Sequence, residues 1–304
     1  MATRVEAFYP PHTKLGECPL YREEDNTLHY IDAFGPSIHI LPLSEPQKAR
    51  VIHCPELISF MCFCEGGGYI VCYFYGIAKV EENGEWEVLR KMVPDDEKGI
   101  RRLNDGAVDS QGRLWFGGVD VSLAEEPHMR DGYEAIGNLY RYDPDGTLTV
   151  HEQGGIGCAN GTGWSPDDRT MYFTDSYRKI IWAYDFHPTQ GTISKKRIFV
   201  DRRNLPGEPD GLVVDVEGNI YTFLWGGAKV AKYNPQGELL QEWSINAHRV
   251  THGAWVGKDF NELVLTSAVT EEKSELWEGE EGGALFWLKD IGCVGMRKYK
   301  FGRV

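Results

Sequence analysis

Four short stretches carry polar side chains that a plain structural role does not require. They are Glu17 in KLGECPLY, Arg102, Asn104 and Asp105 in RRLNDGAVD, Asn160 in GCANGTGW, and Asp210 in GEPDGLVV. Three of them share a pattern. Asn or Asp stands beside Gly in Asn104-Asp105-Gly106, Asn160-Gly161 and Asp210-Gly211, and each is followed by a short strand-like run and a second aspartate, Asp109, Asp167 or Asp215. Taken singly, Asn-Gly and Asp-Gly are turn dipeptides. Three of them in register in a repeating chain favour a site. Carboxylate and carboxamide oxygens are what a hard divalent cation such as Ca²⁺, Mg²⁺ or Mn²⁺ takes as ligands. A carboxylate in such a set can also accept a proton from an attacking water. The second aspartates, in DSQG, SPDD and DVEG, read as turn residues. His252, in RVTHGAWV, occupies the matching place in another stretch. It reads as a hydrogen-bonded strand histidine, with a second base or a substrate contact as the alternative.

Such residues need elements to position them. No apolar stripe of helical period is sustained along the chain; short apolar strands alternate with turns rich in Gly, Asp and Asn. One unit recurs six times, with apolar strands beginning near Asn26, Gly67, Gly112, Arg169, Gly218 and Asn261. The spacing is that of a four-stranded propeller blade, roughly 40 to 50 residues. The expectation is an all-β chain, a six-bladed β-propeller with a central metal site, forming a single domain over residues 1–304. The extended start RVEAFYP is expected to pair with the last blade, because an open ring leaves sheet edges exposed. Polar residues in the loops entering the first strands would then gather over one mouth of the channel. The third unit carries a long insertion, residues 120–136, expected to lie over that mouth as a lid.

Composition removes several classes of function. The formal net charge is −14, and nucleic acid requires a basic footprint for counterion release. Anionic membranes are disfavoured for the same reason. The start MATRVEAFYP has no apolar core of a signal peptide, and no run of 18 apolar residues exists. The seven cysteines lie mostly in strand-like surroundings and read as reduced, buried thiols of a cytoplasmic protein. Cys62 and Cys64 alternate on one strand face but have no partner pair at zinc spacing. Ser165 in GTGWSPD lacks the nucleophile-elbow context. Trp115, Trp225 and Trp287 read as blade packing.

The stretches LGECPLY, RLNDGAVDSQGRLWFGG, NGTGWSPDDRTMYFTDS and PDGLVVDVEGNIY resemble, in order and at similar spacing over nearly the whole chain, the motifs of the senescence marker protein (regucalcin)/gluconolactonase family. Its fold is a six-bladed propeller. The resemblance implies that Glu17, Asn160 and Asp210 bind one divalent metal ion, its identity open among Ca, Mg, Mn, Zn and Fe(II). It implies that Asn104 lies beside the metal and contacts substrate, that Arg102 reaches a substrate hydroxyl or carboxyl, and that Asp210 doubles as the acid/base. Asp105 is a further contact to substrate or metal on this reading, with the capping of the turn before Gly106 as the alternative. The chain departs from the family at one point. Several animal members bind sugar hydroxyls through an acidic residue where counting from Asn104 gives Ser122, with Asp120 or Glu125 as substitutes.

The activity implied is hydrolysis of sugar lactones, a small-molecule substrate, to aldonic acids. The chemistry fits: a cation polarises the carbonyl, and Asp210 takes the proton of the attacking water. Two alternatives are an esterase or organophosphatase of the same fold, and a calcium-binding propeller without catalysis. A fixed guanidinium at Arg102 suits a polyhydroxylated or anionic substrate rather than an apolar one.

Overall fold

The computed structural model describes residues 4–10, 12–125, 134–271 and 276–302. These residues form six antiparallel sheets of four strands each, the arrangement of a six-bladed β-propeller. Among them the one α-helix is Val121–Glu125, and no helix is long and apolar enough to cross a membrane.

The first strands of the blades are Gly16–Arg22, Ile58–Phe63, Arg101–Val108, Ala159–Trp164, Glu208–Val214 and Arg249–Val256. The second strands are Thr27–Asp32, Tyr69–Tyr73, Leu114–Asp120, Thr170–Asp175, Ile220–Trp225 and Glu262–Ala268. These second strands are buried along almost their whole length, and Tyr69–Tyr73 is apolar throughout. A strand buried on both faces reads as a continuous apolar run rather than as an alternation. The outermost strands, such as Trp86–Lys91 and Thr192–Asp201, are mostly exposed and charged. The sequence units counted from Asn26 onward therefore begin on the second strand of each blade, and the first strand lies one element earlier.

The chain divides into two compact units of three blades each. One comprises Met1–Ile58 and Leu205–Arg297, the other Ser59–Asn204 and Lys298–Val304. In the first unit, Ala7–Tyr9 completes the sheet of the last blade, with Ala7 opposite Phe286 and Tyr9 opposite Leu285. The pairing expected of the chain start is thus present, and it covers an edge that would otherwise expose backbone donors and acceptors. The core of this unit gathers Tyr221, Phe223, Trp255 and Phe286. In the second unit Trp115, Trp164, Phe173 and Tyr184 fill the space between neighbouring blades. Residues of the C-terminal tail also dock there: Phe301 donates its N–H to Phe63 O and stacks on Tyr142.

The turn aspartates follow the turn reading, and two of them also anchor the blades. Asp109 is fully buried and accepts hydrogen bonds from Gln111 N, Arg113 N, Arg113 Nε and Trp115 Nε1. Asp215 does the same for Glu217 N, Asn219 N, Asn219 Nδ2 and the Tyr221 hydroxyl. Asp167 stays at the surface and closes its turn through the Ser165 hydroxyl and Arg169 N.

Candidate functional site

The polar residues singled out in the sequence do not lie in loops entering a strand. They lie inside the first strands, at or beside a β-bulge. In blade 3 the pairing runs from Leu103–Gly118 to Gly106–Phe116, so Asn104 and Asp105 together face Gly117. In blade 4, Asn160 and Gly161 face Thr174. In blade 5, Asp210 and Gly211 face Phe223. In blade 1 the bulge is Cys18-Pro19 against Tyr30, and Glu17 is the last paired residue before it. A bulge adds one residue, increases the local twist and re-aims the side chains beside it. The glycines that suggested turns serve this geometry. A Cβ on Gly106 would stand 2.4 Å from Trp115 O, and one on Gly211 2.4 Å from Cγ of His252.

In the first unit, Glu17 is half-buried and its Oε2 accepts the Cys18 N–H at 3.3 Å. Cys18 holds a left-handed φ of 48°. Thr251 Oγ1 donates to Gly16 O at 2.6 Å, which ties the strand carrying Glu17 to blade 6. Asp210 is buried. His252 is buried, receives the Gly253 N–H on Nδ1 at 2.7 Å and stacks on Phe223. It is the hydrogen-bonded strand histidine of the first reading.

In the second unit a chain of polar contacts runs through four side chains. The Arg102 guanidinium lies 4.4 Å from the centre of the Phe74 ring, and its Nη1 donates to Asn104 Oδ1 at 2.8 Å and to Leu103 O at 3.1 Å. Asn104 Nδ2 donates to Ala159 O at 2.8 Å, with longer contacts to Asn160 Oδ1 at 3.4 Å and Cys158 Sγ at 3.6 Å. Asn160 Nδ2 donates to Ser176 Oγ at 2.9 Å, with Cys158 Sγ at 3.8 Å. The Ser59 hydroxyl donates to the Asn104 carbonyl at 3.0 Å. Arg102, Asn104 and Asn160 are therefore brought together, in the order guanidinium, amide, amide.

Two expected substrate contacts each make a hydrogen bond within the chain. Asp105 is buried, and its Oδ1 accepts the Gly106 N–H at 2.8 Å, the capping alternative of the sequence reading. Burial pushes its carboxyl up to about 6, against the opposing pull of the Gly106 N–H and the nearby Lys298. Ser122 is the second residue of the short helix, where its hydroxyl donates to Asp120 Oδ1 at 2.5 Å. Asp120 is buried and also accepts the Ile136 N–H. Of the expected lid, residues 126–133 lie outside the described residues, as does the side chain of Glu125. Ser176, Cys158, Ser59 and Phe74 were not legible in the sequence, because each reaches the site from a neighbouring strand or turn with an unremarkable local motif.

Oxygens of the type that a hard divalent cation takes occur in each unit, on Glu17 and Asp210 in the first and on Asn160 in the second. Glu17 and Asp210 supply anionic oxygens. Asn160 has its nitrogen turned to Ser176, so the end left to act as a ligand is the oxygen, which takes one long contact from Asn104.

Comparison with known proteins adds an independent finding. A family model described as "SMP-30/Gluconolactonase/LRE-like region" matches residues 15–269. The regucalcin of Danio rerio is 28% identical over 302 residues, covering 98% of each chain. The pentonolactonase of Haloferax volcanii is 27% identical over 295 residues, covering 94% of each. A solved structure of a luciferin-regenerating enzyme aligns with a TM-score of 0.86 at 27% identity, covering 96% of each chain.

Proposed function

Because the chain belongs to the SMP-30/Gluconolactonase/LRE-like family, we propose that it is a metal-dependent lactonase that opens sugar lactones to aldonic acids. The kinship with a pentonolactonase supports lactone hydrolysis. The observation that carries the sugar preference is the Arg102–Asn104 pair. Its guanidinium is held by the Phe74 face and an amide oxygen, so it is oriented before substrate arrives. A fixed, charged donor fork rewards ring hydroxyls and would lose its hydration for nothing against an apolar ester.

In this reading Glu17, Asn160 and Asp210 would hold the divalent cation, which would supply Lewis-acid polarisation of the lactone carbonyl. Asp210 takes the proton of the attacking water and returns it to the leaving ring oxygen. Glu17 holds position and charge. Arg102 and Asn104 orient the polyol, which supplies the entropic part of the rate gain. Ser122 and Asp105 would join them as further substrate contacts beside their bonds to Asp120 and to the Gly106 N–H. None of the seven cysteines is in a disulfide, which supports a reducing, cytoplasmic setting.

The test is proton release from a panel of pentono- and hexonolactones, after chelation and add-back of each divalent cation, with spontaneous hydrolysis subtracted. Asp210→Ala is expected to lower kcat/KM by roughly 100-fold or more. Unchanged turnover in that variant removes Asp210 as the base. Absence of turnover of every lactone with every cation overturns the reading.

A further inference from the structure

A carboxamide has two ends of nearly equal size. Turned one way, Asn160 offers an oxygen to a cation; turned the other way, it offers a nitrogen with two protons. The fold must therefore choose its orientation as well as its place. The choice can be followed from Arg102, whose guanidinium can only donate, so Asn104 presents Oδ1 to it. The Ala159 carbonyl can only accept, so Asn104 presents Nδ2 there. Asn104 is thus fixed twice over, and the end it turns to Asn160 is the nitrogen. That selects the oxygen end of Asn160, but at 3.4 Å the contact is too long to hold it firmly. The firm contact lies at the other end, from Nδ2 to Ser176 Oγ at 2.9 Å.

We propose that Ser176 is the positioning residue of this site: its hydroxyl, with the Cys158 thiol beside it, holds the Asn160 carboxamide in place, while the donor Nδ2 of Asn104 selects the oxygen as the end presented as a ligand. The proposal rests on the reading of Asn160 as a metal ligand. Ser176 is placed to do this. Its N–H donates to Cys158 O, and the preceding Asp175 is buried and accepts the N–H groups of Gly157 and Cys158. The end of one strand and the start of its neighbour are thereby stitched together, so the hydroxyl is fixed relative to the amide it anchors. Cys158 stands two residues before Asn160 and also lies within 3.6 Å of Asn104 Nδ2. Groups that hydrogen bond to a metal ligand typically control 10- to 100-fold of metal affinity.

The experiment measures Mn²⁺ binding by titration calorimetry without substrate, so turnover does not enter. Ser176→Ala is expected to weaken binding by about 10-fold or more. Ser176→Thr, which keeps the hydroxyl, restores it to within a few-fold, and Ser176→Cys, a poorer acceptor of similar size, falls between. The deciding arm is Asn160→Asp. A carboxylate has two oxygen ends and no wrong orientation, so in that background Ser176→Ala should cost less than about 3-fold. An equal loss in both backgrounds, or no loss in Ser176→Ala while Asn160→Ala abolishes binding, overturns the positioning role and leaves the ligand reading standing. Full Mn²⁺ binding by Asn160→Ala overturns the ligand reading itself, and the positioning role with it. Thermal unfolding in chelator shows whether each variant is folded; should Ser176→Ala not fold, the comparison of Ser176→Thr with Ser176→Cys decides.

Discussion

Replacing Asp105 by Asn should stabilise this protein near neutral pH, and the gain should grow with pH. Asp105 is 4% exposed, and burial raises its carboxyl from the usual 3.8 to about 6. The folded state therefore keeps a proton that the unfolded chain gives up. Below the unfolded value both states are protonated and the shift costs nothing. As pH rises from about 3.8 towards 6, the unfolded chain ionises first and stability falls. Above about 6 the whole cost is felt, roughly two pKa units or about 3 kcal/mol. Asparagine keeps the shape and an oxygen for the Gly106 N–H but carries no charge at any pH. Urea unfolding of both proteins at about pH 5 and pH 8 should show the advantage of Asp105→Asn widening by about 1 to 1.5 kcal/mol. A constant gap, or a variant less stable than the parent at the higher pH, would refute the account of the buried carboxyl. The same variant examines Asp105 as a substrate contact. If its carboxylate only caps the bulge, kcat/KM for the lactone stays within about two-fold; a loss of about 10-fold or more places it against substrate.

Two further outcomes follow from other ionisable side chains. Asp109→Asn turns an amide nitrogen towards a pocket of donors that includes Arg113 Nε and Trp115 Nε1, and should cost about 3 kcal/mol or more in urea unfolding; a loss below about 1 kcal/mol would mean that the hub is dispensable. His39 is held down to about 4, first by burial and then by the neighbouring His12 and His53, against the pull of Asp32, while its ring stacks on Tyr30. The folded state resists protonating it, so stability is lost as pH falls from about 6.5 towards 4, and His39→Phe should flatten that acid limb; an unchanged slope would show that the histidine titrates freely.

The blade count and the pairing of the chain start were legible because both rest on strong signals: repeated apolar runs and an extended apolar segment at the beginning. The place of the site within each blade was misread for a physical reason. The second strands, such as Tyr69–Tyr73 and Thr170–Asp175, are buried on both faces and dominate the hydrophobic pattern. In blades 3, 4 and 5 the first strands are interrupted by bulges carrying Asn, Asp and Gly, the residues that also mark turns. Read locally, RLNDG and EPDG are loops; paired against the next strand, they are bulges. Ser176 left no trace at all, since Asp-Ser at the end of a strand resembles any turn, and its meaning comes only from the amide across from it.

The bulge itself is not the signature of the site. Blade 6 has the same interruption, with Thr251 and His252 facing Thr266, yet Thr251 spends its hydroxyl on Gly16 O and His252 packs on Phe223. Blade 1 has it too, with Cys18 and Pro19 in the bulge and Glu17 one step before. The repeat thus supplies one local geometry to each of these blades, and the side chain placed there decides what the blade does with it. Where the residue is Thr or His, the bulge ties neighbouring strands together. Where it is Asn, the amide works at both ends: Asn104 joins Arg102 to the Ala159 carbonyl of the next blade, and Asn160 turns its nitrogen to Ser176.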